Sequence, residues 1–147
     1  MGASPYWYYV SYEQDFNSAL QKLRDKEFKA GRYNPVVMFP KFPITETTES
    51  PGAQHTTIDE ALEAADADGT RSILDLIAVS EIDDFCISRV ISKDQLIKYF
   101  GTEKPDRIQI ENNRNFFDDI ERLKGFCIVV YRENDPDELF FAGYSAD

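Results

Sequence analysis

The spacing of hydrophobic and polar positions changes along the chain, and each change marks an element. Tyr6, Trp7, Tyr8, Tyr9, Val10 and Tyr12 crowd aromatic and β-branched side chains into one run, which predicts a strand over 6–12 with both faces at least partly covered. From Glu13 the period becomes helical. Phe16, Ala19, Leu20, Leu23 and Phe28 recur as one stripe, Lys22, Lys26 and Lys29 fall largely off it, and Gly31 is a natural stop. Val36, Val37, Met38 and Phe39 follow, enclosed by Pro35, Pro40 and Pro43. Proline has no N–H for a central ladder, so this segment is at most a short edge strand or extended lining.

Residues 44–56 have no apolar period and carry turn formers in the middle, which predicts a long mobile loop. Thr57 with Glu60 three positions on reads as a capping box. It opens a short helix whose face is Ile58, Ala61, Leu62 and Ala65 and which ends at Asp68-Gly69. The apolar run 73–79 fits a buried strand or a helix, with Ile, Leu and Val weighting it toward strand. Residues 85–91 predict another strand. Ser92 and Gln95 form a second capping box, before a helix through Leu96, Ile97 and Phe100 to Gly101. Pro105 suits the first turn of a further helix with Phe116, Phe117, Ile120 and Leu123 on its later face, weakened or split at residues 112–115. Residues 126–131 and 139–144 flank a turn-forming insert, the pattern of a C-terminal β-hairpin. Strands and helices are interspersed but the chain ends in adjacent strands. The expected fold class is therefore α+β, one domain over 1–147 with a mixed or mainly antiparallel sheet and three to four helices.

Composition narrows the function classes. At 147 residues and 42% hydrophobic, the chain is the size of one domain with enough apolar mass for a core. The net charge of −11 repels a phosphate backbone and argues against nucleic acid. No run is long and apolar enough for a membrane span, and the start lacks the flank and apolar core of a secretion signal, so a cytoplasmic location is expected. Gly2 suggests an acyl acceptor, but Tyr6 stands where that signal wants Ser or Thr. Cys86 and Cys127 both sit in Phe-Cys-Ile triplets and read as small buried hydrophobes.

The charge is concentrated. Residues 44–84 carry eleven acidic side chains and a single base, Arg71, which accounts for −10 of the total. A solvated face that keeps the protein soluble explains this at least as well as a patch that steers a basic protein partner. Under the second reading the partner-binding residues are Glu46, Glu49, Asp59, Glu60, Glu63, Asp66 and Asp68.

No catalytic signature is present. His55 is the only histidine, which excludes sites needing two or three. Asp66-Ala67-Asp68-Gly69 resembles the middle of a calcium loop, but in that register Ala64 falls first and Asp75 stands where the bidentate Glu belongs. No metal or cofactor is expected. Arg32 and Arg71 each follow a helix stop, and nearby acids of this acidic chain are their expected partners. The leading expectation is a non-enzymatic acidic interaction module (inhibitor, immunity-type or adaptor protein) on a basic protein surface. The alternative is a small-molecule-binding protein or small enzyme with a site between loop 44–56 and the sheet, using His55, Arg71, Asp75 and Tyr33.

Overall fold

The computed structural model describes residues 3–147. Met1 and Gly2, and with them the acyl-acceptor position considered above, lie outside the described residues. One mixed five-stranded sheet organises the chain, in the order β1-β5-β4-β3-β2. The strands are β1 (Pro5–Ser11), β2 (Ala78–Ser80), β3 (Ile87–Val90), β4 (Gly125–Arg132) and β5 (Asp135–Tyr144). β5 runs antiparallel to both β1 and β4, while β4, β3 and β2 are mutually parallel. The α+β class and the C-terminal hairpin are as the spacing predicts. Four α-helices lie among the described residues: α1 (Phe16–Ala30), α2 (Ile58–Ala65), α3 (Lys93–Phe100) and α4 (Arg107–Asn112).

The apolar runs are nearly continuous because both faces of the sheet are covered. Alternation along β5 sends Leu139 and Phe141 to one face and Phe140 and Ala142 to the other, all fully buried. The first face joins Tyr6, Tyr8 and Cys127 and packs under Ala19, Leu20 and Leu23 of α1. The second joins Phe126, Ile128 and Val130 and packs under Tyr99, Phe100, Ile110 and Phe116, contributed by the crossover from β3 to β4. Each fully buried large side chain contributes about 1.5–3 kcal/mol of transfer free energy, so the sheet is fixed from both sides. A smaller cluster, Tyr33, Ala61 and Leu74 with Phe28, Ile58 and Leu62 against it, binds α2 to the end of α1.

Local chemistry sets the boundaries. Asp15 caps α1 by accepting from Ser18 N, and Gly31 ends it in the left-handed region at φ 74°. Ser92 and Asp106 open α3 and α4 with complete capping boxes. At the hairpin, Glu133 and Asn134 both have positive φ, the backbone of a two-residue turn that matches strand twist. The outer edge of β2 is met by a side chain: Asn17 of α1 accepts from Val79 N at 2.8 Å and donates to Val79 O at 3.2 Å.

Several boundaries differ from the sequence pattern. Residues 73–79 are split into a 3-10 turn at Ile73–Asp75 and the short β2, because Ser72 caps the turn and Asp75 bonds back to Thr70. β3 starts at Ile87, since Cys86 has φ 61° and Phe85 is 60% exposed, so Cys86 is half-buried while Cys127 is buried. Residues 36–39 form turns with no ladder; the neighbouring Thr45 makes one isolated bridge to Trp7. The helix opened after Pro105 does split, α4 giving way at Asn113 to a 3-10 turn over Arg114–Asp119. No helix among the described residues is long and apolar enough to cross a membrane.

Candidate functional site

The seven acids expected to bind a partner fall into two groups. Glu49 pairs with Lys41 at 2.8 Å, and Glu46 lies 3.9 Å from Arg107 on the far side of β1. Asp59, Glu60 and Glu63 occupy α2, and Asp66 and Asp68 the 3-10 turn that continues it; all five are exposed. None of these five has a cationic side chain within 4 Å among the described residues. Glu60 instead accepts from Thr56 N at 3.0 Å, reaching just ahead of the Thr57 cap. The α2 apolar face of Ile58, Ala61 and Leu62 is spent on Tyr33 and Leu74, which forces the carboxylates outward. No group of three or more metal-ligating side chains gathers among the described residues, and Asp66–Asp68 is a 3-10 turn rather than a calcium loop.

Of the four residues grouped as an alternative site, the fold brings two together. The Tyr33 hydroxyl lies 2.7 Å from Nδ1 of His55, and the two rings are 5.6 Å apart. Beneath them Arg32 donates to Glu27 at 2.8 Å, to Thr48 O at 2.9 Å and to Ser50 Oγ at 2.8 Å. Glu27 is fully buried; desolvation pushes its carboxyl up, against the pull of Arg32. These contacts, with Gly52 N donating to Ala30 O and Ala53 N to Lys29 O, tie segment 44–56 to the end of α1.

Asp75 and Arg71 lie elsewhere and face different partners. Asp75 Oδ1 accepts from both Thr70 N and Thr70 Oγ1 at 2.8 Å, inside a buried knot with Ser72, while its other oxygen is unpartnered. Burial pushes the Asp75 carboxyl up, opposed by the Thr70 donors. Arg71 sits 4.7 Å over the Phe42 ring and reaches Asp147 at 3.4 Å. Arg32 and Arg71 therefore both meet acids of the chain itself. Five surface cavities of about 250 to 380 Å³ among the described residues are lined by none of Tyr33, His55, Arg71 or Asp75.

A cavity does lie between segment 45–47 and the sheet, with different walls. Trp7 and Tyr9 of β1 form its floor and Arg107, Glu111 and Arg114 its side, around about 250 Å³. Two sequence signals bear on it: Trp7 and Tyr9 share a face by strand alternation, and Arg107 and Arg114 stand seven positions apart, the first on α4 and the second in the 3-10 turn beyond the break at Asn113. Which strand face meets which helical face is set by the β1–β5 pairing, which spacing alone does not supply. Comparison with family models, curated proteins and solved structures gives no match for the chain.

Proposed function

We propose that the chain is a cytosolic, non-enzymatic interaction module of the inhibitor, immunity-type or adaptor kind, whose acidic face along α2 docks on a basic surface of a protein partner. The observation that carries this reading is that Glu63, Asp66 and Asp68 are exposed and form no ion pair among the described residues, while Glu46, Glu49 and Asp83 are each held by Arg107, Lys41 or Lys124 and Asp59 lies within the field of Arg24. Carboxylates presented together on one short helix repel one another, and a cationic counterpart relieves that repulsion. The same field disfavours nucleic acid. Complementarity of this kind raises association rate more than final affinity and weakens with salt.

Charge reversal tests it. Asp59→Lys, Glu63→Lys and Asp66→Lys together leave Glu60 on Thr56 N and the apolar face intact. The wild-type chain is expected to capture a basic partner that raised salt releases, and the triple variant to lose it. Reversal of Glu103 and Asp118, exposed elsewhere, is expected to leave capture unchanged. Equal capture by both variants would reject the reading.

A further inference from the structure

Arg114 stands apart from the other charges that line a cavity. Its guanidinium lies 5.1 Å over the Trp7 ring and 5.6 Å over Phe140, yet it makes no ion pair and no hydrogen bond among the described residues. In a chain with 27 acidic side chains, a half-buried arginine held by two rings with its donors unused has its position fixed and its chemistry uncommitted. Its neighbour differs. Arg107 lies 3.9 Å over Tyr9 and has Glu138, Glu111 and Glu46 at 3.4, 3.5 and 3.9 Å.

The other walls complete the pattern. The Tyr9 hydroxyl is buried without a hydrogen-bond partner. Burial pushes its pKa up to about 12, so it is a protonated donor at neutral pH. Glu46 and Glu111 also line the cavity and, with Glu138, outnumber the one guanidinium they share. The cavity thus holds the unused N–H donors of Arg114 together with excess negative charge on Glu46 and Glu111. A phosphate dianion would meet those carboxylates; a planar monoanion matches the fork of one guanidinium.

We infer that this cavity binds a small zwitterion of the free amino acid class, its carboxylate on Arg114 and its ammonium toward Glu46 and Glu111. The volume of about 250 Å³ lies just below the usual range for drug-sized ligands, which suits a metabolite of this size. The inference is independent of the acidic α2 face.

Trp7 is the only tryptophan in the chain and forms part of the cavity, so its fluorescence reports occupancy directly. Titrating the full chain with the common free amino acids is expected to give a saturable change for at least one of them. Acetate, which lacks the ammonium, is expected to bind more weakly, and ethylamine and inorganic phosphate not to saturate. Arg114→Gln is expected to weaken amino acid binding at least about tenfold, the loss of a bidentate charge-assisted contact. Arg132→Gln, at the exposed end of β4, is expected to leave it unchanged. Glu111→Gln keeps the Arg114 side intact and is expected to erase the preference for amino acid over acetate, which decides the matter even if Arg114→Gln fails to fold. No saturable change with any amino acid, tighter binding of acetate or phosphate, or full affinity in a folded Arg114→Gln would each overturn the inference.

Discussion

The hydroxyl of Tyr33 and Nδ1 of His55 share a hydrogen bond of 2.7 Å that joins the end of α1 to a segment twenty-two residues further on. Gln54 N donates to the same hydroxyl at 3.4 Å, so a single phenol oxygen serves two neighbours in the chain. Tyr33→Phe keeps the ring in its cluster with Ala61 and Leu74 and removes only that oxygen. The expected cost is about 1 kcal/mol, the usual net worth of one such bond, read from urea unfolding. Hydrogen exchange at the amides of residues 54 and 55 should accelerate; protection unchanged from wild type would show that the segment is held without this bond.

Gly31 occupies a second tie between the same two regions. Its φ of 74° is left-handed, and a Cβ there would fall on the Gly52 carbonyl. Gly31→Ala therefore combines a left-handed penalty of about 1–2 kcal/mol with displacement of the Gly52 backbone. A loss of at least about 2 kcal/mol in denaturant unfolding is expected. A melting temperature equal to that of wild type would contradict the packing described.

Asp75 gives a pH dependence with a definite sign. Burial raises its folded pKa above the unfolded value of about 3.9. Its contribution is therefore fully present below the unfolded value and is lost as pH rises through the folded one. Asp75→Asn keeps an oxygen for the Thr70 donors and removes the charge, so its stability relative to wild type should improve as pH climbs from the ordinary carboxylate range toward neutrality. Asp75→Ala strands the buried Thr70 N–H and should cost about 2 kcal/mol. A wild-type to Asn difference that stays flat across unfolding curves at several pH values would refute the assignment.

The two thiols should separate by reactivity. Burial pushes Cys127 up to about 12, and Cys86, half-buried, is raised by burial and then by Asp75 and Asp84. Thiolate is the reactive form, so neither is expected to label quickly in the native state at neutral pH, with Cys86 first and Cys127 only after unfolding. Equal labelling rates in a thiol-reagent time course would contradict this.

Much of the architecture was legible in the residues. The aromatic run of β1, the stripe of α1, the caps at Thr57 and Ser92 and the hairpin turn are local signals, and each forms where its own chemistry puts it. Segment 73–79 was not legible, because Ile73 and Leu74 are buried by tertiary packing and the run is broken by the bond from Thr70 to Asp75. Nor did spacing distinguish Glu46 and Glu49 from the acids of α2. Their partners, Arg107 and Lys41, are brought close by folding, and in the first case by 61 positions of chain. The cavity at Arg114 was hidden for the same reason: its two walls are legible singly and meet only once β1 pairs with β5.

The amide of Asn17 occupies both the N–H and the carbonyl of Val79 on the outer side of β2. A three-residue terminal strand would otherwise offer a foreign chain an open row of backbone groups on which to extend the sheet. With the helix itself supplying the missing ladder rung, this border is closed from within, and growth by edge-to-edge stacking has no template there.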